Sequence, residues 1–281
     1  IWQITIDGGS IKSGRSFISL ANASTIDNIT ISGNANVENT SSGRTSIDLG
    51  GGSVTGMISV EDTASLKSNI NISGNNRIGG GIIIGGGSDS PTFSGNITLN
   101  NGSILGQGIQ VKSGTMTSEV SLNGSSRISK ILIDGSNSGG SGNGTPKLDG
   151  NITLNTSNGI TNGITIANGG TLDGNINAQN SSSIGGIAIN NGSLIGSISL
   201  TNTSNITGGI NVQNGGTITN NISAAGGVSI DSINITNGRV GGNISANWGN
   251  GGIGRINQIT IADGEVGGNI VLANETSIAN G

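Results

Sequence analysis

The chain has 281 residues, of which 54 are Gly and only 9% are charged, with a net charge of -4 and no Cys or His. That balance offers no electrostatic footprint for nucleic acid, and 1% aromatics leaves no platform on which bases could stack. Without His or Cys, the nucleophilic triads and dyads that need them are impossible, and a zinc site is effectively excluded. Apolar runs are short, as in Ile82-Ile83-Ile84, so no helical membrane span is expected. A membrane barrel would need longer strands and aromatic girdles.

The first coils set the pattern. Ile4-Thr5-Ile6 is followed by Asp7-Gly8-Gly9 and a single Ile11, and Ile18-Ser19-Leu20 then opens a second half. In Ile-x-Ile the outer residues share one face and the middle residue takes the other, which is the period of a strand. Gly and Asn breaks come too often for a helix to propagate. Further halves start at Ile29, Ile47, Ile58, Ile70 and onward to Ile259 and Ile270, giving 22 half-coils, or about 11 coils. From Asn151 to Gly242 the rule is cleanest, because Asn168, Asn191, Asn214 and Asn237 each precede Gly and recur every 23 residues by subtraction. A fixed period of this size marks a repeat architecture.

One coil offers Ile164, Ile166, Leu172, Ile176, Ala178 and Ile184 to a core, and six aliphatics cannot offset the ordering of a whole coil. Coils must therefore stack into a parallel β-helix, a single domain over 1–281, with rungs about 4.8 Å apart and a rod of roughly 50–55 Å. The expected outward row is small and polar: Thr153, Thr165, Asn177, Ala188, Ser199, Asn211, Ser223, Asn234, Ser245 and Thr260. Asn151, Asn175, Ser197, Asn221, Asn243 and Asn269 precede strands once per coil. They read as a ladder passing amide hydrogen bonds up the stack, with Asn suited to left-handed turns.

Five gaps exceed the usual spacing. Four follow the strand of the Asn-Gly half and are expected to bulge along one edge, a candidate binding edge carrying Lys12, Arg15, Arg44, Asp89, Phe93 and Lys147. Tolerated surface loops are the plainer reading. The fifth carries Trp248 and Arg255. Glu61-Asp62, Asp48 and Asp134 are the carboxylates open to acid–base chemistry, but nothing in the periodicity makes two face each other, and solvated turn residues are the alternative. No catalytic, cofactor or metal residues are assigned. Asp149-Gly150-Asn151-Ile152-Thr153 is similar to an acidic bacterial glycosylation sequon, although Asn151 also belongs to the ladder.

The recurrence Ile-x-Leu-x-Asn-Gly-Gly-x-Leu-x-Gly-Asn, as in Ile164 to Asn175 and Ile210 to Asn221, resembles the passenger region of bacterial autotransporters of type V secretion. The resemblance covers essentially the whole chain and implies a right-handed parallel β-helix on the surface of, or secreted by, a Gram-negative bacterium. It implies a virulence-associated adhesin or self-associating protein, not an enzyme, whose partner is a host surface molecule or another copy of itself. A toxin segment, or less readily a polysaccharide-acting enzyme, is the alternative. No cofactor and no membrane insertion by this segment are expected. The opening Ile1-Trp2 reads as the start of a fragment, with an outer-membrane barrel expected further C-terminal.

Overall fold

The computed structural model describes residues 1–41, 45–86, 89–137, 144–250 and 252–272. The short apolar triplets do form strands, and because each is too small to hold itself, every one pairs with its counterpart one coil away. Ile164 lies beside Ile187, Ile187 beside Ile210 and Ile210 beside Ile233, so the 23-residue period is the register of the sheet. The result is an all-β parallel solenoid of about 11 coils. At the usual rung spacing, about 48 Å separates its first and last rungs. The short 3-10 turn Gly135–Asn137 is the single helical element among the described residues.

Each coil has four sides. In the seventh coil they are Ile164–Ala167, Thr171–Asp173, Ile176–Ala178 and Ser183–Ile184, here termed the first to fourth faces. Eleven strands stack on the first face, eleven on the second and ten on the fourth. The third has twelve, counting the antiparallel Gly252–Ile253. The lone aliphatic between turns is thus the centre of a strand of its own. Leu148, Leu172, Leu194 and Ile218 run up the second face, and Ile184, Ile206 and Ile230 up the fourth.

All six core residues anticipated in the seventh coil are buried. Their columns stay apolar from rung to rung, as in Ile164, Ile187 and Ile210, while the column of Ala178 alternates Leu154, Ala178, Leu200 and Ala224. The turns between the first and second faces explain Asn-Gly, since Asn168, Asn191, Asn214 and Asn237 have φ of 51°, 52°, 53° and 50°. That left-handed conformation is one Asn adopts more readily than other non-glycine residues.

Two expectations about placement need correction. The outward row is two rows. Thr165, Ala188, Asn211, Asn234 and Thr260 stand on the first face, while Thr153, Asn177, Ser199, Ser223 and Ser245 stand on the third. Period-2 alternation separates inward from outward but carries no information on how far a turn rotates the next strand. The four insertions also do not share one edge. Those before Pro91 and Pro146 lie between the first and second faces, and those after Ser13 and Asn39 lie between the second and third, so they flank the second face on both sides.

Candidate functional site

The residues expected on a binding edge do not converge. Phe93 is 1% exposed and fills the core column of the second face between Leu66 and Met116, so it is a packing residue. An aromatic at a position otherwise aliphatic looked like a loop anchor because the preceding insertion hid its register. Lys12 sits on the second face 3.7 Å from Glu38, an exposed ion pair worth little. Arg15 and Asp89 are exposed, and Arg44 lies outside the described residues.

Lys147 lies on the second face, 2.8 Å from Asp173 and 3.4 Å from Asp149. The hydrogen bond to Asp173, joined by the charges of both carboxylates, outweighs burial and raises the ammonium above its ordinary range. The cluster is a surface staple between the sixth and seventh coils.

The column before the third face passes an amide hydrogen bond as expected only from Asn175 to Asn151, at 3.2 Å, and otherwise bonds chiefly to backbone. The Asn151 side-chain carbonyl accepts the backbone N–H of Asn175 at 2.7 Å, Asn175 accepts from Ser197 at 2.8 Å, Asn221 from Asn243 and Asn243 from Asn269 at 2.7 Å. Each side chain thus caps the chain of the next coil and mainly needs to accept. Glu119, acceptor-only, therefore fits the same column, holding the Asn151 N–H at 3.2 Å and its amide at 3.1 Å. The Asn151 side chain thus donates to Glu119 and accepts from Asn175, so in the folded sequon it already serves the stack. None of these ladder residues has positive φ; the left-handed Asn stand at other corners, such as Asn168 between the first and second faces and Asn180 between the third and fourth.

A true amide-to-amide ladder climbs the third face, from the outward positions of Asp48 and Asn71 to the residue just after the strand in later coils. Asn71 donates to Asp48 at 2.9 Å, Asn100 to Asn71 at 3.3 Å, Asn123 to Asn100 at 3.0 Å, Asn155 to Asn123 at 2.6 Å, and Gln179 to Asn155 at 2.7 Å. Each amide gives N–H to the coil before, and each one below Gln179 accepts from the coil after. A carboxylate fits only at the foot, where Asp48 stands. The signal was present in Leu99-Asn100, Leu122-Asn123 and Leu154-Asn155, directly after the last inward residue of the strand.

Asn123→Asp therefore removes the donor that Asn100 needs and is expected to cost about 1–2 kcal/mol in urea unfolding at neutral pH. Below about pH 4 the new carboxyl is protonated and donates again, so the deficit relative to wild type should shrink.

Asp62 and Asp134 are also structural acceptors. Asp62 takes the Gly33 N–H at 2.9 Å. Burial pushes Asp134 up, but hydrogen bonds from the Asn168 amide and from the Ser136 N–H and hydroxyl, with the Lys112 charge, overcome it and hold the carboxyl below its ordinary range. Inside the third-to-fourth corner, Ser103, Ser126, Ser182 and Ser204 are buried. Each satisfies its hydroxyl on the carbonyl three residues back, at 2.6 to 2.9 Å. Among the described residues no three His, Cys, Asp or Glu group as metal ligands, and no helix is long and apolar enough to cross a membrane.

The surface thus presents ordered rows of amides and hydroxyls, with Asp48, Asp62, Glu119 and Asp173 among the carboxylates that tie coils together. None of the protein-family models, curated proteins or solved structures compared with this chain matches it.

Proposed function

We propose that the chain is a non-catalytic stalk, displayed on or secreted from a Gram-negative cell as an autotransporter passenger, that acts in adhesion or self-association. The observation that carries this reading is the outer surface of the rod. The first and third faces present small polar side chains in register, such as Asn177, Ser199 and Ser223, and no charged residue occurs between Asp173 and Asp231. Such a face can meet a neutral partner or a second rod without burying an unpaired charge. Its repetition along the axis multiplies weak contacts.

The two faces separate in experiment. Cells displaying the chain are expected to clump. One variant carries Asn177→Lys, Ser199→Lys and Ser223→Lys on the third face, and another carries Thr165→Lys, Ala188→Lys and Asn211→Lys on the first. Loss of clumping in one set supports self-association and identifies the face. Undiminished clumping in both sets counts against it.

A further inference from the structure

Along the corner between the third and fourth faces, successive coils place Ser157, Asn180, Ser181, Asn202 and Thr203 one above another. All five have positive φ, between 50° and 65°. Left-handed residues here swing the corner outward, so all but Asn202 are well exposed. In the ninth coil the equivalent corner is Gly226-Gly227, without side chains. Onto Gly226 folds the fifth insertion, a hairpin of Ile244–Gly249 and Gly252–Ile253 in which Trp248 pairs with Ile253. The fit depends on the glycine, since a Cβ there would strike the Asn250 carbonyl oxygen. Beside the bare corner and the hairpin an open groove of ≈ 450 Å³ reaches from Thr156 and Ser157 to Asn250.

Some of the groove's polar groups are already held. Asn180 donates to the Asn155 carbonyl at 3.0 Å, Asn202 to the Asn180 side-chain oxygen at 3.1 Å, and the Ser181 and Thr203 hydroxyls lie 2.8 Å apart. Asn202 keeps its side-chain oxygen free, and the Thr156 and Ser157 hydroxyls make no hydrogen bond among the described residues. The lining has no charge, so an ionic ligand would find no partner and lose its hydration. What fits is a neutral molecule that presents hydroxyls at intervals near the rung spacing of about 4.8 Å together with apolar C–H faces. On the hairpin, two residues from Asn250, Trp248 is 61% exposed, a large aromatic surface of the kind such faces stack on.

We propose that this corner groove binds neutral oligosaccharide, with the Asn, Ser and Thr side chains as the hydrogen-bonding wall and Trp248, beside the groove on the same hairpin as Asn250, as a stacking surface for a longer sugar. The proposal deepens the adhesin reading by naming a ligand class and rests on it.

The test uses the whole chain, titrated in calorimetry against neutral hexose and N-acetylhexosamine tetrasaccharides, with sialylated and sulfated tetrasaccharides as the charged arm. At least one neutral sugar is expected to bind. Thr156→Arg, which fills the groove from a residue of ordinary φ, and Trp248→Ala should each weaken binding by roughly tenfold or more. Both variants should keep the wild-type melting curve.

Binding confined to charged sugars, or unchanged in Thr156→Arg, overturns the groove. Loss in Thr156→Arg alone overturns the role of Trp248. A chain that binds no neutral sugar yet still clumps cells overturns the groove and leaves the stalk reading standing. One that binds sugar without clumping does the reverse for self-association.

Discussion

Ile189→Asp is expected to unfold the middle of the rod, whereas Ala188→Asp, one residue away, should leave it intact. Ile189 is fully buried on the first face between Ile166 and Val212 of the adjoining coils, while Ala188 points outward between Thr165 and Asn211. A carboxylate at 189 has no cation and no donor in the aliphatic core, so the expected cost is at least about 4 kcal/mol. At 188 the same carboxylate is hydrated and the cost should stay below about 0.5 kcal/mol. Because each coil touches only its neighbours, the damage should concentrate in the seventh to ninth coils. Hydrogen exchange followed by mass spectrometry would show lost protection there in Ile189→Asp, with the outer coils retained. Similar behaviour of the two variants would mean that the strand is not pleated in this register.

The second large effect separates backbone strain from steric contact. Gly108 and Gly169 have almost the same left-handed φ, 78° and 81°. A Cβ added to Gly169 meets nothing within 4 Å, whereas at Gly108 it would be driven into the Lys130 carbonyl oxygen of the next coil. Gly169→Ala should therefore cost only the left-handed penalty, about 1–2 kcal/mol. Gly108→Ala carries that penalty and must also push the fifth and sixth coils apart. The Lys130 carbonyl accepts the Ile109 N–H at 2.9 Å, so the displacement disrupts the first-face ladder itself. A total near 4 kcal/mol or more is expected, read as a difference in urea midpoint between the two variants. Equal midpoints would mean that coils are spaced more loosely at this corner than the structure has them.

The sequence carried the winding of the chain but not its cross-section, and the physical reason is the same throughout. Alternation and recurrence report which side chains share a face and how often, so Ile164, Leu172 and Ile184 could be placed in the core and the 23-residue register obtained by subtraction. The direction a turn sends the next strand depends on two or three φ values that composition leaves open. Alternation alone therefore groups Asn177 with Asn211 although they occupy different faces, and spacing alone assigns Phe93 to an insertion although it plugs the core.

The ladder column was legible as a position and not as a bond. Asn151 and Asn175 do recur, yet whether a side chain accepts from backbone or from another amide is set by its height relative to the next rung. The groove beside Asn180 and Asn202 was not legible at all. It arises because side chains are missing at Gly226 and Gly227 and because the insertion carrying Trp248 folds back over them, a combination with no periodic signature.

The account stands on coils adding one rung at a time along a single axis. Spin labels at Thr30, Leu132 and Asn234, all outward on the first face, measure this directly. Leu132 lies four coils from Thr30 and Asn234 eight coils from it, so electron–electron distances near 19 Å and 38 Å are expected at about 4.8 Å per rung. A separation that doubles with coil number is the predicted result. Distances that fail to scale with the number of coils between the labels would contradict the solenoid and every placement drawn from it.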